Sequence, residues 1–434
     1  MTRMTYFLMS LIALWFTLGS EPNVSADVTP GDVIDKSNWK KVEGLLPEPI
    51  LNWLKRGDLS MQIAGLNYDP KDYLPPAVKK SMVENAGKYE IDDRGVIVDA
   101  KTGDLPDFIE GLPFPDIKIG DPQAGAKAMF NRIFYTYSLG PIRYTFFTRW
   151  VGPRTGFDRE IGSVYRQYPM VGDSAAREIP NPKKIQRYSL ILTFRPFDVS
   201  GANMLSWRYL DTAEDMTFTY IPAIRRVRRM SPTGRSDQLM GSDLSVDDAW
   251  GFDGKINTME WKLLRKEDVI VPFLAEDPQG LEKNRKGAWQ TTDSIKRIVY
   301  GYEKEGWQGA PWIPTNLVWV KRPAYVIEVT PKDRYYNYGT HYMWLDAEVN
   351  VIAPWKIIND RAGAYWKTVW HSFSAFESAD REMRFITSTT LQGLDERREH
   401  ATVVVLPTPD TPYEHFTEQD LNDFTLAGFQ KLCK

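Results

Sequence analysis

The chain is poor in the residues that most metal and redox chemistry requires. Its 434 residues include one cysteine, Cys433, and four histidines. A single cysteine excludes an intrachain disulfide and any multi-cysteine zinc or iron–sulfur site. His341, His371, His400 and His415 are scattered, and an isolated histidine is more often structural than catalytic. Net charge is almost absent too: 54 Lys+Arg stand against 57 Asp+Glu, a balance of -3, so nothing draws the whole molecule to nucleic acid. The sequence has no G-x-S-x-G, no G-x-x-x-x-G-K-S/T, no G-x-G-x-x-G and no H-E-x-x-H, the patterns that would announce a serine hydrolase, a phosphate loop, a dinucleotide fold or a zinc peptidase. No cofactor and no metal is expected. After the first twenty residues no stretch has the length and apolarity of a membrane-spanning helix.

Rings are abundant instead: 15 Trp, 21 Tyr and 20 Phe, 13% of the chain. That many aromatic side chains can build a large core or line a ligand cavity. The N-terminus reads as an export signal. Arg3 precedes the apolar run Tyr6 to Leu18, Gly19 and Pro22 break it, and Val24-Ser-Ala26 offers small residues before Asp27. The expected product is a periplasmic chain beginning at Asp27. The plainer alternative is an uncleaved anchor, which the shortness of the apolar run disfavours.

The mature chain divides by composition. Residues 27–120 are rich in Pro and Gly and form an N-terminal extension packed on the core. Within it, Leu105 to Pro115 lies extended, anchored by Phe108, Leu112 and Phe114. Asp121-Pro122 is a good helix start, and Ala124, Ala128, Met129, Phe130, Ile133 and Tyr137 follow mostly along one side, predicting a helix over 122–137. Residues 121–406 are mainly β. Met216-Thr-Phe-Thr-Tyr220 alternates cleanly, as do Ser206 to Leu210, Met259 to Leu263 and Tyr325 to Val329. Strand–turn–strand units without intervening helices predict an antiparallel meander. The tail 407–434 carries Pro407, Pro409 and Pro412 and ends in a short helix, expected over 417–432 with Thr417 as N-cap.

Two charged segments stand out. In Tyr220-Ile-Pro-Ala-Ile-Arg-Arg-Val-Arg-Arg-Met230, a strand would send Arg226 and Arg228 one way, with Arg225 and Arg229 flanking Val227 on the other. These guanidiniums could grip phosphate or carboxylate groups. The plainer reading is a solvated rim strand paired with Asp237, Asp243, Asp247 and Asp248. That acidic run could bind calcium, but it lacks the glycine and terminal glutamate of an EF-hand, so a polar loop with Asx turns is the plainer reading.

Trp207-Arg-Tyr-Leu210, Phe218 to Arg229 and Gly241-Ser-Asp-Leu-Ser-Val-Asp-Asp248 together resemble the LolA/LolB superfamily, in which a "Y-x-P-x-x-R-R-V-R-R" strand and a "G-S-D-x-S-Y-D-D" loop recur. The hairpin Trp344 to Pro354 and the turn Asp360 to Gly363 resemble the same sheet. Gly111 to Asp116 with Asp121 to Lys127 is similar to the large-chain branch of unknown function, often labelled outer-membrane lipoprotein-sorting protein. Val246 replaces the motif's tyrosine, and the hairpin lacks its usual Thr or Ser before Pro354. The resemblance implies an α+β fold, mainly β: a strongly curved antiparallel sheet, a half-open β-barrel, wrapped over helices. In relatives the concave side holds acyl chains. Trp207, Tyr209, Met216, Phe218, Tyr220, Trp261 and Leu263 are the side chains available for that face; the plainer reading of each is core. The resemblance offers no catalytic residues.

The expected function is a non-enzymatic carrier that passes lipid or another hydrophobic molecule between an inner-membrane exporter and an outer-membrane acceptor. The alternatives are an interaction or sensor module docking through Arg225 to Arg229, and a glycan-directed hydrolase built on scattered carboxylates.

Overall fold

The structure, a computed structural model, describes residues 28–406, 413–415 and 420–433. The export signal and Thr417 lie outside them. An 18-stranded sheet dominates the chain. One meander begins at the edge strand Arg226–Arg229 and runs back through Met216–Ile221, Met204–Tyr209, Ile185–Arg195 and Gly156–Pro169 to Ile142–Gly152. A second runs from His400–Val405 through Arg384–Asp395, Tyr365–Ser378, Trp355–Asn359 and His341–Asp346 to Val318–Pro331 and Met259–Phe273. The two meet where Ile142–Gly152 pairs with His400–Val405, so that the curved sheet is continuous.

At the far edge the sheet rolls back on itself. Phe273 pairs with Phe373 in parallel, and Gln279–Lys283 runs parallel to Tyr365–Ser378. The sheet is therefore mixed there, not wholly antiparallel as the strand–turn pattern implied. Trp319, Trp355 and Trp370 stack inside this roll, the last two with centroids 5.7 Å apart. Trp355 Nε1 donates to the Ile270 carbonyl at 2.9 Å, satisfying the indole where no water reaches. Trp53 and Leu54 of the helix Glu48–Arg56 and Met61 of the strand Met61–Ile63 belong to the same core. That strand adds to Val318–Pro331 in parallel.

The helix Ala124–Tyr137 lies against the sheet with almost every residue buried. Asp121 does not cap it directly. Its carboxylate accepts from Gln123 N and from Lys127 Nζ, closing the turn just before the first helical residue. Gly125 is required for the close approach: a Cβ there would sit 2.9 Å from the Trp261 backbone. Asn131 binds both the N–H and the carbonyl of Phe114, at 2.9 and 2.6 Å. This ties the proline-rich segment before the helix to it.

The C-terminal helix is shorter than expected. A 3-10 turn, Leu421–Phe424, precedes the helix Leu426–Leu432, and Thr425 supplies the cap by accepting from Gly428 N.

Candidate functional site

On the side of the sheet that meets the central helix, this chain packs ion pairs. The carboxylates of the acidic run 237–248 do not form a solvated loop: of the four, Asp237 alone is exposed, accepting from Asn337 Nδ2 at 2.7 Å. Ser245 caps the turn Val246–Asp248, its N and Oγ both donating to Asp248 Oδ2. The other oxygen of Asp248 takes Lys356 Nζ at 2.7 Å, and Tyr338 OH donates to Asp248 as well. Asp247 accepts from Arg235 Nε at 2.6 Å and Tyr336 OH at 2.9 Å. Asp243 binds Arg398, Thr402 and the His400 ring. Asp253 joins Arg187 and Arg208 at 2.6 and 3.2 Å, and Arg208 reaches Asp215 at 2.8 Å.

Burial alone would raise the pKa of Asp253, but Arg187, Arg208 and Arg235 outweigh it and hold the carboxyl well below its ordinary range. Asp247 goes the other way, because burial there exceeds the help of Arg235. These carboxylates are committed to cations. They present neither a calcium cage nor a facing acid–base pair, and among the described residues no cluster of metal-ligating side chains occurs.

Not every buried cation has a carboxylate at ion-pair distance among the described residues: Lys367 Nζ donates instead to the Asp243 carbonyl at 3.2 Å. Arg132, on the central helix, is buried, and its Nε donates to nothing. Burial draws its guanidinium down to about 10, against the attraction of the Asp253 carboxylate.

The seven candidate groove residues do not share one face. Opposed residues of a ladder lie on the same side. The pairs Tyr188↔Trp207, Leu205↔Phe218 and Tyr220↔Val227 define one side, and Arg187↔Arg208 the other. The arginine side meets the central helix through Asp253 and Tyr137. Trp207, Phe218 and Tyr220 therefore point away from that helix, under the C-terminal helix, where Phe424 and Phe429 complete the cluster with Leu190 and Leu205. Trp207 Nε1 donates to the Phe424 carbonyl at 2.8 Å, and the Trp207 and Phe218 rings meet edge-on at 5.3 Å. Met216, opposite Trp207, is half-buried. Trp261 and Leu263 do pack with the central helix, Trp261 edge-on to Phe252 at 4.9 Å. Tyr209 borders a pocket of about 30 Å³ with Ile97, Phe130, Ile133 and Ile256, room for a single water.

The arginine segment lines the open space. Arg226–Arg229 is a strand, and Val227 and Arg229 lie on the Tyr220–Phe218 side, as alternation requires. Arg225 is not in the strand. It takes a left-handed conformation, φ 51°, closing the turn Pro222–Ile224. The expected pairing with the acidic run does not occur: those aspartates serve interior cations, and none of Arg225, Arg226, Arg228 or Arg229 meets a carboxylate among the described residues. Tyr220, Val227, Arg225, Arg226, Arg228 and Gln430 line an open groove of about 740 Å³ between this edge and the C-terminal helix. Its floor is apolar and its rim cationic, so it can take an apolar body with an anionic end. Sequence reasoning identified Tyr220 and the arginines. It missed Gln430 and the roof, because the contact between the tail and this edge has no local signal.

The chain is similar to a domain from Vibrio parahaemolyticus assigned to outer-membrane lipoprotein sorting, at 16% identity over 71% of this chain and 100% of that one, TM-score 0.44. It is similar to a DUF1329 family protein from Desulfovibrio piger, at 16% identity over 68% and 97%, TM-score 0.42. A LolA superfamily protein from Nitrosomonas europaea matches at 13% identity over 67% and 91%, TM-score 0.36. No curated protein matches. The profile described as "Protein of unknown function (DUF1329)" matches residues 33–429, so the chain belongs to the DUF1329 family.

Proposed function

We propose that this protein is a non-enzymatic periplasmic carrier of an anionic amphiphile, held in the groove between the edge strand Arg226–Arg229 and the C-terminal helix. The observation that carries this reading is the groove itself: about 740 Å³, floored by Tyr220 and Val227 and rimmed by arginines that no carboxylate neutralises among the described residues. A volume of that size suits a small amphiphile, and each buried CH₂ contributes about 0.8 kcal/mol. The site differs from the concave face that the family resemblance implies, because ion pairs and the central helix fill that face. Tyr220 remains a ligand contact in this reading, Trp207 and Phe218 support it from beneath the C-terminal helix, and Trp261 and Leu263 become core. The leader-like N-terminus and the resemblance to lipoprotein-sorting proteins support an envelope role, with an inner-membrane exporter and an outer-membrane acceptor as partners. Uptake of a fluorescent fatty acid tests it. Saturable binding that Arg226→Glu/Arg228→Glu weakens at least tenfold is expected; no uptake by the wild type would overturn it.

A second reading has one observation in its favour. Among the described residues Arg226–Arg229 pairs with Met216–Ile221 alone, so its outer backbone edge can accept a strand from a protein partner. Loss of partner capture in the same double variant, with fatty-acid binding intact, would favour it.

A further inference from the structure

The rim beside the groove carries large apolar side chains that a soluble surface has no reason to display together. Phe197, in the loop 196–203, is 97% exposed, and Ile224, in the turn Pro222–Ile224, is 49% exposed. These two tips touch. A Cβ placed on Gly201 would lie 3.7 Å from Pro222 Cγ, and Tyr220 N donates to the Asn203 carbonyl at 2.9 Å. Phe194 and Ile221, at the bases of the same tips, are exposed as well. Arg225 and Arg226 follow Ile224 directly, and Arg228 and Arg229 continue along the edge, all exposed. On these tips Asp198 is the one acidic side chain, and Arg195 is already paired with Glu160 at 2.6 Å. Charge on an edge strand commonly serves to prevent aggregation, but that purpose gives no reason to expose a phenylalanine.

We infer that this rim docks on an anionic membrane surface, with Phe197 and Ile224 entering the headgroup layer and Arg225, Arg226 and Arg228 facing lipid phosphates. The chemistry is that of peripheral membrane proteins: shallow apolar insertion combined with attraction to anionic lipid. Each arginine near such a surface is worth about fivefold in partitioning. The groove opens beside the inserted tips, so docking would place its mouth at the headgroup layer. Cargo binding and membrane docking remain separable, because Phe197 and Ile224 do not line the groove.

Vesicle co-sedimentation of the purified protein tests it. The protein should pellet with phosphatidylcholine–phosphatidylglycerol vesicles, pellet weakly with phosphatidylcholine alone, and be released by high salt. Phe197→Ser/Ile224→Ser should cut sedimentation at least tenfold while leaving thermal stability and fatty-acid uptake unchanged, since both side chains are exposed. Arg225→Glu/Arg226→Glu should abolish the preference for anionic lipid. Equal binding to neutral vesicles, no sedimentation, or wild-type sedimentation by the Phe197/Ile224 variant would each overturn the docking assignment. Vesicle binding without fatty-acid uptake would uphold it and remove the cargo reading instead.

Discussion

The interior of this protein is unusual for a candidate lipid carrier because its charges decide what the space beneath the sheet can hold. Lys356 and Asp248 are both completely buried and 108 residues apart in sequence. Breaking such a pair leaves a bare buried charge, which costs about 3–5 kcal/mol. Lys356→Met should therefore lower stability by that amount in urea unfolding. Arg132 is the opposite case. Its Nε is unpartnered among the described residues, and the Asp253 carboxylate that favours its charge is already held by Arg187 and Arg208, so Arg132→Met, similar in volume and apolar, should leave stability unchanged or raise it by about 1–3 kcal/mol. A loss of several kcal/mol on Arg132→Met would show that the guanidinium has a partner after all.

The buried histidines set the acid limit. Burial, reinforced by Lys356 at His341 and by Arg132 and Lys356 at His371, pulls both down to about 3 from 6.5. An unfolded chain protonates both near pH 6.5, whereas the folded chain keeps them neutral. Stability is therefore complete above that value and is lost as pH falls toward 3, by at most about 1.4 kcal/mol per unit for each histidine. Asp253, held low by its arginines, adds a further loss at more acid pH. Unfolding followed between neutrality and mild acid should show this slope, and His371→Gln should remove its share.

Among the elements, the short C-terminal helix has a disproportionate role. Phe424 and Phe429 are buried against Trp207 and Phe218, and Asp423 ties the preceding turn to Arg166 at 2.7 Å. Phe429→Ala should cost about 3 kcal/mol. The loss should appear first as faster hydrogen exchange in Met204–Tyr209 and Met216–Ile221, with the roll around Trp355 unaffected. Uniform acceleration across the sheet would contradict a local roof.

The same elements show what could be read from sequence. Met216-Thr-Phe-Thr-Tyr220 announced its strand because the pleat puts alternate side chains on opposite faces, and the helix after Asp121 announced itself by its apolar side. The side each strand face would meet was not legible. Alternation suggests that rings turn inward and charges outward, yet in Met204–Tyr209 Arg208 turns inward and Trp207 meets the tail. That inversion depends on Asp253, 45 residues from Arg208, and on Phe424, 217 residues from Trp207. The arginine segment was conspicuous, but sequence proximity suggested the wrong partners, because the aspartates that follow it were needed by Lys356, Arg235 and His400. The groove was half legible: Tyr220 and the arginines that line it were identified, while Gln430 and the helix that carries it were not.

At the scale of the whole molecule, a continuous curved sheet carries a sealed, ion-paired interior on one side and an open basic groove at one edge. The sealed side stabilises, and the open edge exchanges with whatever lies outside. Native mass spectrometry with lipid extraction, on wild type and Arg226→Glu/Arg228→Glu side by side, tests that division most directly. The account predicts one anionic amphiphile per wild-type chain and an empty double variant of unchanged stability. A wild-type chain that is consistently empty after exposure to lipid, or a double variant that retains the same cargo, would contradict it.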